Sequence, residues 1–447
     1  MPIKVGMVSL GCSKNLVDSE RMLSKLRKKG YELVTEPGLA DIAVVNTCGF
    51  IQSAKEEAIE TILELGKLKN DGTLKKIIIT GCLAERYREE AAELFPEADA
   101  VVGIGSGKDI VDVLDHVLAN ERVVRFPPRL DAELTGSRII STLPFFAYLK
   151  ISEGCSNCCT YCAIPMIRGK FRSVPMEDVL SEAKWLAENG VSEIVVIAQD
   201  STRYGEDLYG EARLPQLLKK IAEIDGIRWI RVLYCYPERI TDELLDTIAN
   251  EEKIVKYLDI PIQHCDGEIL SRMNRWGDED RLEALFAKIR ERVPGIILRT
   301  TLITGFPGET EEQFNRLAEF VQRMRFDRLG CFAYSREEGT KAFDFPNQLD
   351  DETKEHRADI IMEQQMLISA ENNEKLLGRE LTAVVEGVDR VGECYCGRTP
   401  MDATDMDGKV FFSSENPLEI GDFVTIRITD TLDYDLIGEV ISNESSK

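Results

Sequence analysis

"EGCSNCCTYCAIPMIRG", residues 153–169, places four of the chain's twelve cysteines within eight positions. The segment follows "FFAYLKIS", an apolar and aromatic run with the character of a β-strand. Crowded cysteines mean disulfides in a secreted protein and metal or catalytic sites in a reducing compartment. The N-terminal "MPIKVGMVSLGCSKNLVDSERM" has Ser13, Lys14, Asn15 and Asp18 where a signal peptide would continue its apolar core. No segment approaches the roughly 18 uninterrupted apolar residues of a membrane span. The sequence therefore predicts a soluble cytoplasmic protein with reduced thiols, and the cysteine loop reads as a metal site.

Two spacings compete inside the loop. Cys155 with Cys158 and Cys159 with Cys162 form interleaved C-x-x-C pairs that could build a four-thiolate zinc knuckle. Cys155, Cys159 and Cys162 alone form C-x-x-x-C-x-x-C, three ligands on one tight turn with Cys158 as a bystander. The downstream sequence favours the second reading. "SEIVVIAQD", "WIRVLYCY", "VKYLDIPI", "IILRTTLITGF" and "RLGCFAYS" continue the series as further strand-like runs, separated by helical segments such as "MEDVLSEAKWLAENG". Six parallel strands with outer helices predict an incomplete (βα)6 barrel over residues 141–350. Its chemistry should collect at the strands' carboxyl ends, where the cysteine loop lies. Three thiolates there would leave a cluster one open iron, whereas a zinc knuckle would be structural only.

Residues 1–120 predict an open parallel α/β sheet. "IKVGMVSLGC", "ADIAVVNTCG" and "KKIIITGCL" each end a β-rich run on a cysteine, at Cys12, Cys48 and Cys82, about one βα unit apart. Any one of these could be a small core residue, but three at the carboxyl ends of successive units would meet where such sheets bind ligands. Residues 121–140, with "RFPPRL" and "TGS", read as a linker. A bridging helix is predicted over 351–375. Residues 376–447 hold five short runs with glycine turns and predict a small antiparallel β-barrel of the OB-like kind. From 378 onward that tail has 15 acidic and 6 basic residues, and the whole chain carries a net charge of −24. Such a balance disfavours phosphate backbones and suits a basic partner.

The C-x-x-x-C-x-x-C loop with Tyr161 before its last cysteine resembles the signature of the radical S-adenosylmethionine enzymes. That resemblance implies a 4Fe-4S cluster on Cys155, Cys159 and Cys162 whose open iron takes S-adenosylmethionine. It also implies a cofactor lining that includes Tyr161, Gln199, Asp200 and the "GFPG" turn Gly305, Phe306, Pro307 and Gly308. A cysteine-bearing α/β domain, a radical barrel and a C-terminal barrel, in that order, resemble the methylthiotransferases. In these a second, auxiliary 4Fe-4S cluster maps onto Cys12, Cys48 and Cys82, and the tail barrel onto a TRAM domain. "VVNTCGFI", "AQDSTRYGEDLYG", "YLDIPIQH", "RTTLITGFPGET" and "YSREEGTKAFD" look like the group that modifies an aspartate of small-subunit ribosomal protein S-twelve. The alternative is the group that modifies adenosines of tRNA, the only reading that calls for nucleic acid. The resemblance implies insertion of a methylthio group at the aspartate β-carbon. It implies as partners the basic ribosomal protein, an electron donor such as flavodoxin or ferredoxin, and a sulfur donor, with no membrane. Arg168, His264 and Tyr334 are the candidates for substrate contact at the barrel mouth.

Overall fold

The computed structural model describes residues 2–443, so residues 444–447 of the predicted tail barrel lie outside the described residues. The first sheet holds β1 (Lys4–Ser9), β2 (Glu32–Val34), β3 (Ile42–Thr47), β4 (Lys76–Gly81), β5 (Ala100–Val102) and β6 (Val123–Arg125), all parallel, in the order β2-β1-β3-β4-β5-β6. Every residue of β3 is buried, as a central strand covered on both faces requires. Ala58, Ile62 and Leu65 of helix α2 (Gln52–Asn70) cover one face. Met22 and Leu26 of helix α1 (Ser13–Lys29), with Ile110 and Val113, cover the other. One expectation changes here. The segment read as a linker, 121–140, supplies β6, the edge strand of this sheet. Three residues are too short to show a strand period, and the following Pro127 and Pro128 disguise it.

The central sheet holds β7 (Phe146–Lys150), β10 (Glu193–Ile197), β11 (Trp229–Val232), β12 (Ile254–Asp259), β13 (Ile297–Thr304) and β14 (Arg328–Ala333). They are parallel and run in the order β14-β13-β12-β11-β10-β7, open between β14 and β7. A two-stranded ribbon, β8 (Ser152–Glu153) with β9 (Arg172–Ser173), closes the base of the cysteine loop. The outer helices bury Leu186, Leu217, Leu244, Phe286 and Leu317 against the sheet in the largest core of the molecule.

An open barrel leaves its inner face without a closing wall, and other domains supply one. Val17 of α1 packs on that face, as do Ala403 and Phe423 of the C-terminal barrel, against Tyr148, Val195, Ile197, Trp229 and Tyr257. The polar residues there are paired. Arg398 and Arg231 share Glu193, at 2.6 and 3.1 Å. Arg328 meets Asp402 at 2.6 Å, and Arg299 lies between Asp259 and Asp407. Burying a charge is costly, and pairing of this kind offsets that cost.

The C-terminal barrel is closed, with β15 (Glu380–Asp389), β16 (Cys394–Arg398), β17 (Val410–Ser413), β18 (Phe423–Thr431) and β19 (Leu436–Asn443) in the order β15-β16-β17-β19-β18. It is not wholly antiparallel: β17 and β19 pair parallel, because β18 crosses to close the barrel on β15 before the chain returns. The helix Asp351–Glu374 reaches this barrel, capped at its start by Asp350 and buried through Ala358, Ile361 and Ile368. Among the described residues no helix is long and apolar enough to cross a membrane.

Candidate functional site

The cysteine loop leaves β8 at the carboxyl end of the central sheet. Cys155 and Cys159 are buried and Cys162 is half-buried, while Cys158 is exposed on a residue with φ 54°. A neighbouring segment straps the loop down. The Thr160 amide donates to the Met273 carbonyl at 3.0 Å and its hydroxyl to the Arg272 carbonyl at 2.8 Å. Asn274, itself at φ 56°, donates to the carbonyls of Asn157 and Cys158. Arg275 then brings a guanidinium nitrogen 3.9 Å from Cys159 Sγ and stacks over the Tyr236 ring, whose hydroxyl lies 3.8 Å from the same sulfur. Nothing in the sequence singled out Arg275: its place depends on a left-handed turn at Asn274, which no local pattern announces. Burial pushes the Cys155 thiol up to about 11.

Cys12, Cys48 and Cys82 follow β1, β3 and β4, which are adjacent in the first sheet. The turns that bear them touch. A Cβ at Gly11, where φ is 83°, would lie 2.7 Å from Cys48 Sγ, and one at Gly49 would lie 2.7 Å from the Leu83 backbone. Burial raises the Cys82 thiol to about 12 against the pull of Arg168, with Cys12 and Cys48 close enough to add their own influence. Among the described residues no three Cys, His, Asp or Glu side chains gather tightly enough for a single metal ion. A four-iron cluster, whose cysteines bind separate irons, asks for a wider spacing. Three thiols per set fit that donor chemistry, Cys12 being the exposed member of the strand-end set.

The two sets are tied together by charge. Arg168, fully buried, meets Glu153 at 2.9 Å, Asp18 at 3.0 Å and Asn15 Oδ1 at 3.2 Å, while Cys82 packs against Ala163 and Ile167 just before it. Lys150 pairs with the same Glu153 at 2.8 Å and with Asp18. Burial alone would raise the Glu153 carboxyl, but Arg168 and Lys150 hold it well below the usual carboxylate range. Arg168 was expected at the mouth as a substrate contact. Instead its guanidinium is consumed in fastening α1 to the cysteine loop. Lys14, on the same turn of α1, is buried with its ammonium 2.9 Å from the centroid of the Tyr234 ring.

The residues expected to line a cofactor fall into two groups. Tyr161 and Phe306 meet in one apolar cluster together with Tyr334, which was expected instead among the substrate contacts at the mouth and lies edge-on to Phe306 at 5.5 Å. Pro307 is buried beside them in sequence, and Gly305 and Gly308 take φ 70° and 77°. There, side chains would collide with Lys354 and with Arg272. On the other side, Asp200 accepts from Asn157 at 2.8 Å, and the buried Gln199 Oε1 has no hydrogen-bond partner among the described residues. An orphaned buried acceptor and a glycine-built turn fit a bound polar cofactor. His264 differs from its expected place. It is fully buried, its Nδ1 accepts from the Asp266 amide at 2.9 Å and its Nε2 faces Glu309 at 3.6 Å. Gln263 at φ 72° turns the chain there, so His264 supports the Gly305–Glu309 turn rather than the mouth.

Comparisons with known proteins show the same division. Residues 4–103 match the model of Uncharacterized protein family UPF0004, residues 149–321 that of the Radical SAM superfamily and residues 377–441 that of the TRAM domain. Among solved structures, the radical S-adenosylmethionine methyltransferase TsrM from Kitasatospora setae superposes at TM-score 0.55 and 15% identity, over 73% of this chain and 72% of that one. The cobalamin-dependent S-adenosylmethionine radical enzyme OxsB superposes at TM-score 0.51 and 15% identity, over 82% of this chain and 56% of that one. At such identities the likeness is one of fold alone; the family-model matches define the class, a radical SAM domain flanked by an α/β domain and a TRAM barrel. Proteins named ribosomal protein uS12 methylthiotransferase RimO are far more similar. Those of Acetivibrio thermocellus and Lachnoclostridium phytofermentans are each 49% identical, covering 100% and 98% of this chain and 100% and 99% of their own lengths. That of Geobacter sulfurreducens is also 49% identical, over 98% of this chain and 99% of its own. The chain belongs to the family of these methylthiotransferases.

Proposed function

We propose that this chain is a ribosomal protein uS12 methylthiotransferase that places a methylthio group on the β-carbon of an aspartate. The observation that supports it most is the pair of cysteine sets joined through one buried arginine, Arg168, which holds Asp18 and Asn15 of the helix after Cys12, with Cys82 packed on Ala163 and Ile167 of the loop's own helix. In this reading Cys155, Cys159 and Cys162 hold one 4Fe-4S cluster, Cys12, Cys48 and Cys82 a second, and S-adenosylmethionine lies along Tyr161, Phe306 and Gln199. Bound there, these groups would supply the radical that removes hydrogen from an unactivated carbon and the sulfur that replaces it, chemistry beyond acid-base catalysis.

The chain's own residues prepare the site. The strap 272–275 fixes the loop that carries the first set, and Arg275 sets a positive charge beside Cys159. Glycines at 305 and 308 let the backbone approach what a side chain would block. Lys150, Glu153, Arg168 and Asp18 hold the α/β domain against the barrel. The relatives are named for uS12, and the acidic chain suits a basic protein, so the tRNA reading is set aside. A reductant of the flavodoxin or ferredoxin class and a sulfur donor complete the partners.

The test is iron and sulfide content after anaerobic reconstitution, for the wild type and for a variant with Cys155, Cys159 and Cys162 changed to alanine. About eight irons falling to about four is the loading of two separate clusters. Four or fewer in the wild type, with none in the variant, overturns the second site and with it the methylthiotransferase reading.

A further inference from the structure

Burying an ammonium or guanidinium is costly unless an anion is close. The buried lysines and arginines of this chain obey that rule with two exceptions among the described residues. Arg21, Arg138, Lys150, Arg168, Arg231, Arg328, Lys354, Arg357 and Arg398 each have a carboxylate at ion-pair distance. Lys14 and Arg275 have none. Arg275 is accounted for by the Pro261 carbonyl, the Tyr236 ring and Cys159. Lys14, 5% exposed, has no carboxylate partner among the described residues, only the face of Tyr234 and the neighbouring Cys12 thiol.

The carboxylates near Lys14 are already engaged. Asp18 and Glu153 answer Lys150 and Arg168, and Asp259 answers Arg299 while accepting from the Tyr234 amide at 2.9 Å. The platform under Lys14 is also built with effort. Tyr234 adopts φ 64°, a conformation an aromatic residue rarely takes. It is held there by that bond to Asp259 and by the Ser201 amide, which donates to the Tyr234 carbonyl at 3.0 Å. Strain of this kind persists where the surroundings enforce it, commonly at ligand sites. An aromatic face partly offsets the desolvation of an ammonium and leaves its remaining donors free for an anion.

We propose that Lys14 is the specificity-determining seat for the side-chain carboxylate of the substrate residue, its ammonium held on Tyr234 beside Cys12 and the Arg168–Glu153 tie. The assignment rests on the aspartate substrate proposed above and explains how this site selects an acidic side chain over a neutral one. A carboxylate there completes the missing ion pair and keeps the adjoining β-carbon next to the N-terminal cysteine set. A neutral amide of the same shape leaves Lys14 buried without its anion.

The test compares binding of uS12 with binding of a uS12 form whose target aspartate is changed to asparagine, using anaerobically reconstituted enzyme. The wild type should prefer the aspartate form at least tenfold, about 1.4 kcal/mol. Lys14→Met should bind both forms alike, with iron content unchanged, and Lys14→Arg should recover part of the preference. A Lys14→Met enzyme that keeps the full preference overturns the proposal, and a concurrent change in its iron spectrum would mark Lys14 as a counter-ion of the sulfur-bound iron. Should Lys14→Met lose iron, Lys14→Gln makes the same comparison, and iron loss in both variants also overturns it. A wild type that loads iron yet binds both uS12 forms alike, or neither, breaks the substrate reading itself and takes the assignment with it.

Discussion

The two cysteine sets are assembled by opposite routes. Cys155, Cys159 and Cys162 share a single loop, and a local strap, Arg272 to Arg275, shapes it. Cys12, Cys48 and Cys82 are separated by 36 and 34 residues and meet only because β1, β3 and β4 are neighbours in one parallel sheet. The first set depends on turn geometry, and the second on the packing of a whole domain. Damage to one should therefore leave the other standing, except at Arg168, where they join.

The largest effect expected is at Gly49, whose Cβ position lies 2.7 Å from the Leu83 backbone. Gly49→Val should spread the three strand ends and remove about half of the reconstituted iron, with the loop's share retained and methylthio transfer abolished. Loss of all iron would show that the sets are not independent. Next comes the shared residue. Arg168→Met leaves Glu153 and Asp18 with Lys150 alone, and breaking a buried ion network costs about 3–5 kcal/mol. Thermal unfolding should shift strongly downward, and both iron signals should change, which neither a pure loop mutation nor a pure sheet mutation would do.

Smaller and one-sided is the effect of Arg275→Gln. A cation beside a ligating sulfur stabilises the more negative, reduced state of a cluster, so its removal should lower the midpoint potential of the loop cluster alone. An unchanged potential, measured in a background lacking Cys12, Cys48 and Cys82, would deny Arg275 that role.

The smallest effect is pH-dependent. Glu337 joins Lys55 and Arg86 of the α/β domain to the end of the barrel, at 3.0 and 2.6 Å. Burial would raise its carboxyl, but Ser335, Lys55 and Arg86 hold it below the ordinary value. A depressed carboxylate contributes stability above its unfolded pKa, about 4.3, and loses it as pH falls through the lower folded value. The difference in Tm between wild type and Glu337→Gln should thus be full at neutral pH and shrink once pH drops below about 4. A difference that persists unchanged in acid would mean the charge of Glu337 is not what ties the domains.

Much of this organisation was legible along the chain. The strand runs of both parallel sheets, the strand-end placement of Cys12, Cys48 and Cys82, and the five strands of the tail arise from patterns that repeat in the sequence and so leave a trace in it. β6 left none, because three residues at a sheet edge carry no period. The parallel pairing of β17 with β19 left none either, since pairing direction depends on a crossing connection rather than on strand composition. His264 and Arg168 sat at the predicted strand-end and loop positions, yet the structure turned one behind a cofactor-like turn and spent the other on Asp18 and Asn15.

What the sequence by itself determined is therefore the set of elements and the residue types at their ends, because hydrophobic period and cysteine spacing are local properties. The tertiary structure decided which charges are answered. Arg168 finds Asp18 across 150 positions, Arg398 finds Glu193 across 205, and Lys14 finds a ring in place of a carboxylate. Ion pairing in a low-dielectric interior depends on distances that only the assembled domains define, and no pattern along the chain encodes a partner that far away.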